Sequence, residues 1–203
     1  MKKGKPFFQW LPVVEKSQDR EIDKILGFDR KAEGKVNFFS LARAFGSEQF
    51  IYEATPYDSI RQFIEVMDPK SHDIVYDLGA GYGRVVLFGA LLSPAIFVGI
   101  EIVPERVRLA ERIRRHLEIE NAYFKVGNVL SHDFSDGTIF FLFNPFVQET
   151  LEAVGERLRK IAKRKQIKIA TWGGSSNDYF SRQNWLSEVK PLLDSRLQYF
   201  TSI

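Results

Sequence analysis

Val75-Tyr-Asp-Leu-Gly-Ala-Gly-Tyr-Gly-Arg84 is the stretch that decides the fold. It closes a short apolar run, Ile74 to Leu78, with three glycines at alternate positions, and a helical apolar pattern from Arg84 to Leu92 follows at once. A buried strand running through glycines into a helix is the opening turn of an open parallel sheet, where a ligand meets bare backbone beyond the strand end. The glycine spacing is G-x-G-x-G, not the G-x-G-x-x-G of a dinucleotide site, and Asp77 stands two residues before the first glycine. A carboxylate at that lip repels a pyrophosphate and pairs with an ammonium. A nucleoside carrying methionine is therefore the ligand indicated.

Outward from this turn, short apolar runs alternate with helical stretches. Strands are expected at Ile96 to Ile100, Tyr123 to Val126, Thr138 to Phe143 and Ile167 to Trp172, with helices from Pro104 to about Ile119 and from Gln148 to about Lys163. This alternation predicts an α/β fold, a mainly parallel twisted sheet with helices on both faces. Trp185 to Val189 and Leu197 to Ile203 are read as a C-terminal edge hairpin. Upstream, Thr55 is a suitable N-cap and Pro56 a suitable first helical residue, followed by Ile60, Phe63, Ile64 and Met67 at helical spacing and a stop at Asp68-Pro69. Residues 1–50 are read as an N-terminal extension with weak helical stripes (Ile22, Ile25, Leu26; Phe38, Leu41, Ala42, Phe45) and docking aromatics (Phe7, Phe8, Trp10, Phe38, Phe39), and residues 51–203 as the main domain.

Two further strand ends point to the same ligand. Glu101 lies 22 residues after Gly79, where an acid accepts both hydroxyls of an unphosphorylated ribose, and Ile102 beside it is placed to cover an adenine face. At the third strand end stands Gly127-Asn128-Val129, with an amide suited to the adenine edge.

Composition narrows the alternatives. At 203 residues, 44% hydrophobic and 27% charged, the chain has the balance of a globular domain rather than a disordered one. With no cysteine, thiolate metal sites, iron–sulfur clusters and cysteine nucleophiles are excluded, and three scattered histidines make no metal site. The net charge of +3 permits nucleic acid without implying it. The N-terminus is interrupted by Pro6 and Pro12, and the longest uncharged apolar run contains Gly89, Pro94 and Gly99, so neither a signal peptide nor a membrane span is read and a cytoplasmic location is expected. The basic stretch Arg157 to Lys165, and Arg106, Arg108, Arg112, Arg114 and Arg115, read either as solvated helix faces or as contacts to an acidic partner.

On these residues the chain resembles the class I S-adenosylmethionine-dependent methyltransferases over about residues 52–203. Asp77-Leu-Gly-Ala-Gly-Tyr-Gly83 resembles the family's first motif, Glu101 its ribose-binding acid, Gly127-Asn128 its adenine-binding position and Phe143-Asn-Pro-Phe146 its motif after the fourth strand. The resemblance implies a Rossmann-like fold, S-adenosylmethionine as donor with S-adenosylhomocysteine as product, and donor contacts from Asp77, Gly79, Ala80, Gly81, Gly83, Glu101, Ile102, Asn128 and Val129. Within the class the pattern is similar to the non-SET, histone-lysine type of lysine methyltransferase. Tyr52-Glu-Ala-Thr55 resembles their Tyr-Gly-Glu-Thr segment, which adds Tyr52 and Thr55 to the donor contacts, and Gly127-Asn-Val-Leu-Ser131 their Gly-Asp-Phe-Leu-Ser. Ala54 stands where that segment has Glu and the long nucleosome-binding extensions are absent, so histone specificity does not carry over. The implied acceptor is lysine in some other protein. Asn144-Pro-Phe146 also approaches the Asn-Pro-Pro-aromatic motif of enzymes that methylate amino groups of nucleobases, with one proline missing. Asn144, Phe146 and Tyr57 are the candidate catalytic residues, with Trp172 as a further channel aromatic. A nucleic acid or small-molecule amine as acceptor, a module that binds the donor without transferring its methyl, and a nicotinamide-dependent oxidoreductase, disfavoured by the glycine spacing, are the alternatives.

Overall fold

The computed structural model of the chain describes residues 18–28, 43, 52–190 and 197–203. Helix α1 (Asp19–Leu26) is followed by α2 (Tyr57–Met67), β1 (Ile74–Leu78), α3 (Arg84–Leu92), β2 (Ile96–Glu101), α4 (Pro104–His116) and β3 (Ala122–Val126). A 3-10 turn at Val129–Ser131 leads to β4 (Ile139–Phe143), α5 (Gln148–Ala162), β5 (Lys168–Trp172), α6 (Gly174–Ser181), β6 (Leu186–Val189) and β7 (Gln198–Ser202). One seven-stranded sheet runs in the order β3-β2-β1-β4-β5-β7-β6. The first five strands are mutually parallel; β7 lies antiparallel to both β5 and β6, the edge hairpin expected from the sequence.

The strands read as unbroken apolar runs because both faces are covered. On one face, α2, α3 and α4 pack Phe63, Phe88 and Ile113 against Val75, Phe97 and Phe141, while on the other α5 and α6 bring Leu158 and Phe180 to Tyr76, Phe140 and Phe200. Each fully buried aromatic or aliphatic of this kind contributes about 1.5–3 kcal/mol relative to exposure. Between β3 and β4 the short turn is held from α5: Arg157 donates to the carbonyls of Val129, Leu130 and His132, and its guanidinium lies 4.1 Å over the Phe134 ring. Lys165 bonds the Asp136 carbonyl. Two cations of the basic stretch are therefore fastenings of the fold.

Several local expectations shift. Pro56 (φ −60°, ψ 141°), not Thr55, occupies the N-cap of α2, and the amide of Tyr57 is met by Asp19 Oδ1 at 3.4 Å, so the cap arrives from another helix. α4 stops at His116, and Glu118 takes φ +52° beyond it. α6, which the polar Gly-Ser-Ser-Asn-Asp run concealed, fills the connection from β5 to β6. α1 buries Ile22 and Leu26 as expected, but Ile25 is 58% exposed and Asp23 only 4%. The stripe from Phe38 to Phe45 and the aromatics Phe7, Phe8, Trp10 and Phe39 lie outside the described residues. Among the described residues no helix is long and apolar enough to cross a membrane.

Candidate active site

Parallel strands place their carboxyl ends on one edge, and a crevice of about 640 Å³ opens there. β1 contributes Asp77 and the turn Gly79-Ala80-Gly81, β2 Glu101 and Ile102, the end of β3 Gly127-Asn128-Val129, and the end of β4 Asn144-Pro145-Phe146. Tyr52, Glu53 and Thr55, which precede α2, form a further wall.

The glycine turn spends its amides internally. Gly79 and Ala80 donate to the Ile100 carbonyl, Gly83 donates to that of Ala80, and Gly81 donates to Glu101 Oε2 at 2.7 Å. Such a turn offers no ring of free amides to a pyrophosphate. Asp77, by contrast, is 3% exposed and its carboxylate has no hydrogen-bond partner among the described residues. Burial, with the Glu101 charge adding to it, pushes its pKa up to about 8. A buried acid without a donor is destabilising unless something pairs with it. A ligand ammonium in the crevice is the complement it lacks.

Glu101 is already engaged. Besides Gly81, it accepts from the Val103 amide at 3.0 Å and from Arg106 Nη1 at 3.4 Å. Burial raises its pKa, while Arg106 and the two amides oppose the shift. A carboxylate has about four lone-pair sites; three are taken, so the arrangement leaves about one for a further donor in the crevice. Asn128 uses its Oδ1 to cap the 3-10 turn at the Leu130 amide (2.8 Å), which leaves the NH₂ as the side chain's remaining donor.

Close approach explains two of the glycines. A Cβ on Gly79 would come within 2.3 Å of Pro145, and one on Gly81 within 2.7 Å of the Tyr52 ring. The Asn-Pro-Phe segment and the Tyr52 wall thus both close directly on the turn. Asn144 sits at φ +44°, a conformation uncommon for a side-chain-bearing residue, with its Cβ against Gly173. That placement brings Asn144 and Phe146 to the crevice.

Three residues expected at the site are not brought to it. Tyr57 is fully buried, and its hydroxyl donates to Asp23 at 2.9 Å; burial holds the phenol well above its usual pKa. Gly83 faces the Phe124 ring and Ala110, so it serves the packing of α3 against β3. Trp172 stacks on Phe143 at 5.2 Å with the planes 3° apart, and Phe143 in turn borders the crevice. Residues the sequence reading missed include Arg84 and Arg106, which are 4% and 3% exposed and line the crevice. Arg106 is therefore neither a solvated cation nor a surface contact. Its spacing to Leu109, Ala110 and Ile113 puts it on the buried stripe of α4, a signal the charge had masked.

Comparison with known proteins agrees with this geometry. A family described as a methyltransferase domain matches residues 69–155. A protein-lysine N-methyltransferase of Saccharolobus islandicus (strain REY15A) is 34% identical over 94 residues, which are 45% of this chain and 58% of that relative, so the match spans little more than half of its length. Among solved structures, an RNA methyltransferase from Salinibacter ruber in complex with S-adenosyl-L-homocysteine superposes with a TM-score of 0.56 at 23% identity, covering 74% of this chain and 92% of that one. An O-methyltransferase from Bacillus cereus, also in complex with that molecule, gives 0.55 at 10% identity, covering 92% and 97%. The sheet order and the crevice at its strand ends agree with the match over residues 69–155: the chain has the Rossmann-like fold of these solved methyltransferases.

Proposed function

We propose that the chain methylates an amino nitrogen, with a lysine side chain of a protein as the acceptor. The observation that carries the donor half is the buried, unpartnered carboxylate of Asp77 in a crevice whose turn amides are already spent. The acceptor half is supported by the similarity to the lysine methyltransferase of Saccharolobus and by Asn144 and Phe146 beside the glycine turn.

When bound, S-adenosylmethionine supplies an electrophilic methyl, which the acceptor lone pair takes as the carbon–sulfur bond breaks, leaving S-adenosylhomocysteine. Asp77 pairs with the amino-acid ammonium, Glu101 holds a ribose hydroxyl, and Asn128 with Ile102 and Val129 receives the adenine. Tyr52 and Thr55 wall the donor in. The carbonyl oxygen of the Asn144 side chain accepts a hydrogen bond from the acceptor amine and directs its lone pair inward; Phe146 excludes water. Alignment of this kind supplies about 7–11 kcal/mol of the barrier without a dedicated base. A lysine also has to arrive deprotonated, which a less polar channel favours by lowering its pKa.

The test is to incubate the protein with methyl-labelled donor and cell extract, then separate protein, nucleic acid and small molecules. Label on protein lysine, lost in Asp77→Ala, is expected. Label confined to RNA or to small molecules would replace the acceptor assignment, and donor binding without transfer would make the chain a binding module. Stabilisation by NAD instead of S-adenosylhomocysteine would overturn the reading altogether.

A further inference from the structure

Resting on the donor-site reading above, we propose that α1 is a working part of that site: Asp19 and Asp23 are positioning residues that hold Arg84 and, through it, the Tyr52–Thr55 wall of the crevice.

Arg84 opens α3 directly after the glycine turn and is buried. Its Nη1 donates to Asp19 Oδ2 at 3.1 Å and to the Thr55 carbonyl at 2.8 Å, while Nη2 donates to Asp23 Oδ2 at 2.5 Å. The guanidinium also lies 4.5 Å over the Tyr57 ring, and Tyr57 closes the set by donating its hydroxyl to Asp23 Oδ1 and its amide to Asp19 Oδ1. These two acids are the polar link from α1 to the wall, and the apolar pair Ile22 and Leu26 seats the same helix on the core beside them. From Thr55 the wall runs back to Tyr52, whose ring sits on Gly81 and meets Tyr82 edge-on at 4.8 Å.

A guanidinium forks two carboxylates in fixed geometry, so it transmits the position of one element to another. Here it ties α1 to a carbonyl in the crevice wall. Replacing either acid by its amide keeps the shape but turns an acceptor toward Arg84 into a donor or a weaker acceptor, and a buried guanidinium deprived of one acid pulls away from its other partners. The consequence expected is a loosened Tyr52–Thr55 segment and weaker donor binding, beyond any loss of stability.

The experiment compares Asp19→Asn, Asp23→Asn and Leu158→Ala with the unmodified protein, each studied well below its melting temperature. Leu158 is buried on the opposite face of the sheet and controls for general destabilisation. Calorimetry reads the Kd for S-adenosylhomocysteine, and hydrogen exchange reads the amides of residues 52–55 and of Tyr57. Both Asn variants are expected to weaken binding at least fivefold and to speed exchange in that segment, whereas Leu158→Ala lowers the melting temperature with Kd unchanged. Binding by the unmodified protein with the same Kd in both Asn variants overturns the inference and leaves the proposed function standing. No binding by the unmodified protein overturns both.

Discussion

Replacing Asp77 by Asn should make the ligand-free protein more stable and the site worse. The carboxyl's pKa rises from 3.8 to about 8 on folding, because burial and then the Glu101 charge disfavour ionisation. Between those values the folded chain holds a proton that the unfolded chain has released, so this group's contribution to stability is intact below about pH 4 and is lost as the pH climbs toward 8. One unit corresponds to about 1.36 kcal/mol, which puts the cost at pH 7 on the order of 4 kcal/mol. The amide of the Asp77→Asn variant does not titrate, so it removes that slope while keeping the volume. Urea denaturation of both proteins at pH 5, 6, 7 and 8 isolates the effect, since all other titrating groups are shared. The stability difference in favour of Asp77→Asn should widen by roughly 1.3 kcal/mol per unit from pH 5 to 7 and flatten above pH 8. Saturating S-adenosylhomocysteine should suppress the slope in the unmodified protein, because its ammonium favours the ionised acid, and should stabilise the variant far less. Parallel pH profiles would refute the claim that Asp77 is a buried acid awaiting a cation.

Asn144→Ala should lower methyl transfer by about 10²-fold with the Kd for S-adenosylhomocysteine unchanged, since it removes acceptor alignment and not donor contact; single-turnover kinetics and calorimetry separate the two. Gly83→Ala, whose Cβ would meet the Phe124 ring at 2.5 Å at φ +78°, should cost about 1–3 kcal/mol in denaturant unfolding, while Gly174→Ala, with nothing within 4 Å, should be neutral or mildly stabilising. Arg157→Ala should destabilise by about 2–3 kcal/mol, leaving three carbonyls without their donor, with no change in acceptor affinity; weakened acceptor binding at full stability would reassign the basic stretch to partner contact.

The sheet was legible because its signals are local. Ile74 to Leu78, Ile96 to Glu101 and Ile139 to Phe143 are apolar runs bounded by turn residues, and the glycine spacing with Asp77 forms a pattern within seven positions. Asn144 and Phe146 were reachable for the same reason: they follow a strand whose end must face the crevice. Glu101 ends β2 and lines the crevice, a position its spacing from Gly79 makes visible, but its engagement by Gly81 and Arg106 depends on contacts across the turn that no spacing reports.

The misreading of α1 and Tyr57 has a single physical cause. Taken alone, Asp19-Arg-Glu-Ile-Asp-Lys-Ile-Leu26 presents Ile22, Ile25 and Leu26 as its apolar stripe, and its acids belong outside. What rotates the helix is Arg84, 61 residues beyond Asp23 and 65 beyond Asp19, a cation that the tight turn at Gly83 commits to the interior. Once that charge is buried it needs acidic partners more than the core needs one further isoleucine. Asp23 therefore turns inward, Ile25 is left at the surface, and Tyr57 satisfies the second oxygen of Asp23 instead of facing the crevice. A helical stripe read by hydrophobicity assumes that the opposing surface is apolar; here the opposing surface carries a guanidinium, and the rule selects the wrong face by one position.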